Sequence, residues 1–124
     1  CLIEGGVPHP DLTSEYGRKK WGAAEDGKKD IRRSAYALGP GGALYFAVGE
    51  WTTADLLASA LKTAGVTDAV QMDINWSFTR FVLYDNAASG EPVASAPILE
   101  KLKFGPREYW QKASERDFFY AHAK

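Results

Sequence analysis

Asp73, Asn75 and Trp76 stand close together in the run Gln71-Met72-Asp73-Ile74-Asn75-Trp76-Ser77. A carboxylate can move a proton, an amide can orient a hydroxyl, and an indole can stack on a sugar ring. That combination suits acid–base or glycan chemistry. Glu50, Thr52 and Thr53 follow an apolar run upstream, and Arg33 and Arg80 could pair with an acid. Each residue also has a purely structural use. Asp73 can satisfy backbone donors in a turn, and Asn75 tolerates the left-handed region. Trp76 can roof a core, Thr52 or Thr53 can cap a helix, and Arg33 or Arg80 can bridge to Asp73 or Glu50.

Composition narrows the setting. The 124 residues fit one domain, with 45% apolar, 13% aromatic and 25% charged residues. A net charge of −1 supplies no global field toward nucleic acid or an anionic membrane. The clusters Arg18-Lys19-Lys20 and Lys28-Lys29 read as solvated loop, the second being interleaved with Asp26 and Asp30. No apolar stretch approaches the ~20 residues that span a bilayer. One cysteine excludes an internal disulfide, and His9 and His122 show no ligand spacing, so neither a zinc site nor any other cofactor is expected.

The elements that must position these residues can be read from periodicity. Leu2 to Pro8 reads as a short hairpin or a strand end, with Gly5 and Gly6 free to take φ > 0. Residues 9 to 31 read as a long polar loop, with a turn of helix near Leu12 to Tyr16. Arg33 to Leu38 and the apolar run Ala43 to Val48 pair through the turn Gly39-Pro40-Gly41-Gly42, the second strand being covered on both faces. A helix over 53–64 carries Leu56, Leu57, Ala60, Leu61 and Ala64 on one stripe, with Asp55 as a capping-box partner to Thr52 and Gly65 as its stop. In the following strand Val70, Met72 and Ile74 share one face, and Gln71, Asp73 and Asn75 the other. Asn75 to Ser77 turn the chain, and Phe78 to Tyr84 run back. Asp85 to Ala96 is loop, Pro97 to Phe104 reads equally as strand or helix, Arg107 to Ser114 holds a helical turn, and residues 117–122 form a last strand.

The expected fold is α/β (α+β), with a mixed sheet, hairpins and a right-handed βαβ crossover over strand 43–48, helix 53–64 and strand 68–74. Both strands of that crossover end on one edge of the sheet, which collects Glu50, Thr52, Thr53, Asp73 and Asn75. Ligands of open α/β sheets bind beyond such ends, and a helix N-terminus there favours an anion.

The run from Arg33 to Ser77 resembles the C-terminal half of the phosphodiester glycosidase family, whose members include the uncovering enzyme that removes N-acetylglucosamine from a phosphodiester on mannose 6-phosphate glycans. Arg33-Ser34-Ala35 stands for the family's Arg-Thr-Ala strand, Thr53 to Gly65 for its Thr-started helix, Asp73 for the Asp of its Asp-Gly-Gly-Gly-Ser motif, and Ser77 for the Ser. The opening Cys1 to Leu12 is similar to the strand before this region. Ile74-Asn75-Trp76 replaces the three glycines, as in a bacterial branch that also carries Arg116-Asp117-Phe118-Phe119-Tyr120. The resemblance implies a secreted or periplasmic hydrolase acting on a sugar phosphodiester or related glycan. In it Arg33 would hold an anionic group, Asp73 would serve as acid/base or metal/water ligand, and Asn75 would orient substrate. Trp76, Ser77, Thr53, Glu50 and Arg80 would line the binding site.

Two alternatives accompany this reading. One is a non-catalytic glycan-binding or cell-envelope module in which Trp76 is a stacking platform. The other is a self-processing protein with Cys1 as nucleophile and its own α-amine as base. Cys1 leads straight into Leu2-Ile3, so an ordinary chain boundary and a lipidated cysteine are further readings of this residue. Family domains have an additional N-terminal half, so a non-covalent heterodimer with the N-terminal fragment of a common precursor is expected. The other expected partner is a carbohydrate or sugar phosphate ligand.

Overall fold

A computed structural model of the chain describes residues 1–15, 20–23, 29–77, 79–86, 88–99, 102 and 119–122. These group into two compact units, Cys1–Thr79 and Arg80–Lys124.

The first unit is an antiparallel sheet with one helix. Its strands are β1 (Ile3–Glu4), β2 (Val7–Pro8), β3 (Ile31–Leu38), β4 (Leu44–Thr52) and β5 (Asp68–Ile74), and its helix is α1 (Ala54–Thr63). The strand order is β2-β1-β5-β3-β4. The β1–β2 hairpin turns at Gly5 and Gly6 with φ of 55° and 78°, as the glycine pair predicts. His9 then caps a short 3-10 turn over Pro10–Leu12, its Nδ1 accepting from the Asp11 N–H at 3.2 Å, and Leu12 enters the core.

Both β4 and β5 run antiparallel to β3 and so parallel to each other, but β3 lies between them. The expected β-α-β connection is therefore present within one sheet, with β3 between its two strands. Every neighbouring pair is antiparallel, and the sheet is not mixed. The two strand ends still reach the same side, flanking the start of β3, because direction and not adjacency decides where a strand ends.

The face of β3 bearing Ala35 and Ala37, with Ala69 of β5, packs on Leu57, Ala58 and Leu61 of α1 and on Leu2, Ile3 and Val66. Small residues on the sheet let the helix sit close. Each buried leucine contributes about 2 kcal/mol. The seam of α1 is Ala54, Leu57, Ala58 and Leu61, while Leu56 is 58% exposed. Hydrophobicity alone ranks Leu56 above Ala54 and Ala58, but close approach selects the alanines. The helix ends in a full Schellman motif: Val66 N–H donates to Leu61 O at 3.1 Å and Gly65 N–H to Lys62 O at 3.0 Å, with Gly65 at φ 81°. Its start differs from expectation. Thr53 occupies the N-cap position without a side-chain capping bond, and Thr52 Oγ1 donates instead to Thr53 O at 3.3 Å.

β4 is an edge strand, paired only with β3, and Leu44 and Tyr45 are exposed. Its apolar run is thus not covered on both faces as expected. A continuous apolar segment reports hydrophobicity and not the number of its neighbours. Away from α1, cross-strand neighbours place Leu38 opposite Leu44 and Tyr36 opposite Phe46 and Val70. Tyr36 and Phe46 meet edge to face with centroids 5.5 Å apart.

Two bulges interrupt the ladder on either side of Arg32 and Arg33. On β4, Ile31 pairs with Thr52 and Arg33 with Gly49, so β4 carries one extra residue; on β5, Arg33 pairs with Ile74 and Ala35 with Gln71, with the same result. Such bulges re-aim side chains and break the period of two. The face assignment for β5 changes accordingly. Gln71 and Ile74, expected on opposite faces, both meet the segment Trp21-Gly22: Gln71 Nε2 donates to Trp21 O at 3.1 Å, and Ile74 Cδ1 lies 2.5 Å from where a Cβ on Gly22 would stand. Gly22, at φ 77°, is favoured there by its backbone conformation.

The second unit contains the hairpin of β6 (Val82–Asn86) and β7 (Pro92–Pro97). β6 pairs with β7 and not with β5, and the two strands take up Asp85, Asn86 and residues 92–96 of the loop expected over Asp85 to Ala96. The composition of β7 is poor in β-branched and aromatic residues, so pairing with β6 overrides weak local propensity. The helical turn read over Arg107 to Ser114 lies outside the described residues. So do residues 117 and 118 of the last strand, while 119–122 form no strand.

Candidate functional site at the start of the third strand

Adjacent arginines on β3 point to opposite sides of the sheet and build two different clusters. Arg33, 1% exposed, faces the α1 side. Its Nε donates to Thr52 O at 3.1 Å, Nη1 to Trp21 O at 2.5 Å and Gln71 Oε1 at 3.0 Å, and Nη2 to Gly22 O at 2.8 Å and Lys29 O at 2.9 Å. A guanidinium has five N–H donors, and all five are used. Burial lowers its basicity, an effect that the Asp55 carboxylate opposes. The expected role of Arg33 as holder of an anion meets this fact: no donor remains for a ligand. The cluster instead ties β3, β4, β5 and the segments at 21–22 and 29 together. A cavity of about 240 Å³ beside it is lined by Leu12, Trp21, Lys29, Thr53 and Asp55.

Arg32, 3% exposed, builds the second cluster. Its Nη2 bonds Glu50 Oε1 at 2.5 Å, its Nη1 donates to Trp76 O at 3.2 Å, and its guanidinium lies 4.9 Å from the Trp76 ring centre. Trp76 in turn meets Trp51, ring centres 4.6 Å apart and planes inclined at 56°. Arg32 Nε is buried with no partner among the described residues. A partly buried ion pair thus has the Trp76 indole over its guanidinium, and Trp76 in turn carries the open Trp51, 63% exposed.

The backbone that presents these rings is unusual. Among the described residues only Trp51 and Asn75 are non-glycine residues at positive φ, 53° and 77°. Each sits beside one of the bulges, and each adjoins the tryptophan pair. A bulky residue in the left-handed region is a true outlier and marks places where surrounding contacts hold a strained chain. Those contacts are visible. Asn75 N–H donates to Arg32 O at 2.9 Å. The bulge on β5 leaves Asp73 O to accept from the hydroxyls of Ser34 at 2.8 Å and Thr79 at 3.1 Å, both side chains fully buried.

The residues singled out from sequence therefore separate. Glu50, Asn75 and Trp76 belong to the Arg32 cluster, and Asp73 is exposed beside it at the end of β5. Thr53 and Arg33 line the cavity on the α1 side. Ser77 is exposed in the turn, Arg80 is exposed at the start of the second unit, and Cys1 is exposed beside a shallow cavity that His9 also lines. Two members were missed. Arg32 is absent from the sequence-based set, although in a strand adjacent arginines face opposite ways and one of them needs an acid on its own side. Trp51 is absent too, as the end of an apolar run; Gly49-Glu50-Trp51 after such a run is the available signal for a bulge.

Among the described residues no group of three or more His, Cys, Asp or Glu side chains is placed to hold a metal, and no helix is long and apolar enough to cross a membrane. A scan against protein-family models, a search of curated proteins and a search of solved structures each found no match to the chain.

Proposed function

We propose that this chain recognises a glycan by stacking a sugar ring on Trp51, supported by Trp76. The observation that carries this reading is the exposed indole of Trp51, at φ 53° and against Trp76, whose ring lies over the Arg32 guanidinium that Glu50 pairs. Rigid support lowers the ordering cost of binding, and an indole presents a broad apolar face to the C–H groups of a pyranose. Asn75 and Ser77 in the adjoining turn offer neutral groups for sugar hydroxyls. This makes the open platform Trp51 and assigns Trp76 to its support. Trp51→Ala is expected to weaken binding on a glycan array or by calorimetry about tenfold, with little change in stability. Undiminished binding of that variant would dismiss the site.

A second reading keeps the phosphodiester glycosidase-like fold and its hydrolysis of a sugar phosphodiester. It is favoured by Asp73, an exposed carboxylate beside the tryptophan pair on a backbone clamped by Ser34 and Thr79. Sugar release abolished in Asp73→Asn would support it. The same reading includes an N-terminal fragment of the precursor as partner. The outer edge of β4 and the exposed Leu38, Leu44 and Val70 support such pairing, since open edges and apolar faces are normally covered.

A further inference from the structure

We propose that Asn75 is an acceptor for N-linked glycosylation when the chain is delivered to a compartment that holds an oligosaccharyltransferase. This goes beyond the glycan-binding reading above and does not depend on it.

Asn75-Trp76-Ser77 has the form Asn-x-Ser with x other than proline, the tripeptide that such transferases read. The chain carries no second copy, since Asn86, the other asparagine, is followed by Ala87-Ala88. A motif this short arises often by chance, so its setting matters. The tripeptide begins directly after β5, which ends at Ile74, and it forms a turn. Asn75 is half-buried at φ 77°, and Ser77 is exposed. The turn is anchored through its main chain: Asn75 N–H donates to Arg32 O at 2.9 Å, and Trp76 O accepts from Arg32 Nη1 at 3.2 Å. Neither bond uses the Asn75 amide side chain or the Ser77 hydroxyl, the groups that a transferase must reach. Asp73, exposed and two residues before Asn75, extends the match to Asp-x-Asn-x-Ser, the longer form that bacterial-type transferases require.

The reaction joins Asn75 Nδ2 to the anomeric carbon of an oligosaccharide carried on a lipid diphosphate. The bond from that carbon to the diphosphate oxygen breaks, the lipid diphosphate leaves with the electron pair, and a base of the transferase takes one amide proton. An amide nitrogen is a weak nucleophile, because its lone pair is shared with the carbonyl. Exact placement is therefore needed, and the Ser77 hydroxyl supplies a second polar handle by which the acceptor can be held.

The test expresses the full chain behind a secretion signal in two hosts, one with a eukaryotic-type and one with a bacterial-type oligosaccharyltransferase. Intact mass and peptide mapping are the readouts. The expected result is a mass increase of one oligosaccharide in at least one host, mapped to Asn75. Ser77→Ala should abolish it and Ser77→Thr should keep it. Asn75→Gln should abolish it too, but glutamine tolerates positive φ less well, so the Ser77 pair decides if that variant misfolds. Asp73→Ala should abolish modification by the bacterial-type enzyme alone. No mass increase in either host, with a control acceptor modified in both, overturns the proposal. So does an increase that survives in Ser77→Ala.

Discussion

Arg33→Ala is expected to lower the unfolding free energy by about 4 kcal/mol. The substitution strips donors from the carbonyls of Thr52, Trp21, Gly22 and Lys29 and from the Gln71 amide oxygen. Each buried acceptor left unmade costs about 1–3 kcal/mol, and partial relaxation or water entry recovers some of the sum. Against a total stability of about 5–15 kcal/mol for a typical domain, that loss is between about a quarter and most of it. With a urea m-value of about 1.5 kcal/mol/M, the midpoint should fall by roughly 2–3 M. Arg33→Lys keeps the charge but has three donors in place of the five-donor fork, so it should lose about half as much. A shift below about 0.5 M for Arg33→Ala would mean that these carbonyls find water readily, and that Arg33 is not the tie between the strands.

Glu50→Ala is expected to cost about 2–3 kcal/mol, and the double variant Arg32→Met with Glu50→Leu to recover most of that loss. The asymmetry has a physical cause. Removing Glu50 leaves a guanidinium 3% exposed without its counter-charge, whereas replacing both partners leaves no charge to solvate. The cost should fall somewhat below that of a wholly buried pair because the Glu50 side chain keeps 23% exposure. A four-corner urea denaturation series measures the coupling. Tryptophan emission should change in both single variants, since Arg32 lies against the Trp76 ring. Additive losses with unchanged emission would mean that the pair does not support the indoles.

Local signals were legible where a residue type forces a backbone choice. Gly5-Gly6 demanded the first hairpin, Gly39-Pro40-Gly41-Gly42 the second, and Gly65 the end of α1. The β3–β4 pairing followed from two apolar strands flanking a tight turn. Illegible were the features created by neighbours. The period of two in β5 failed between Gln71 and Ile74 because the ladder with β3 gains a residue there, and a bulge belongs to a pair of strands, not to one. The seam of α1 shifted onto Ala54 and Ala58 because the sheet beneath it is lined with alanines that admit close approach. β7 was read as loop because Ala, Ser and Pro carry little strand preference until a partner strand is present.

The candidate site divides along the same line. Residue types alone put an acid, an amide and an indole at Asp73, Asn75 and Trp76, near the end of a strand and in company with Glu50. That much follows from chain adjacency and the direction of β4 and β5. Which arginine serves that end, and in what role, was decided by the sheet. Alternation sends Arg33 to the α1 side, where the carbonyls of Thr52, Trp21, Gly22 and Lys29 and the Gln71 amide oxygen take every donor, and Arg32 to the other, where Glu50 and Trp76 take it up. The extra residue in β4 then places Trp51 against Trp76 as the open ring. Composition and turn chemistry are properties of single residues and short runs, so the sequence determined the turns, the helix and most strands of the first unit, and which residue types stand near the strand ends. Facing, pairing and burial are properties of strands in register, so only the tertiary structure decided which side chains meet.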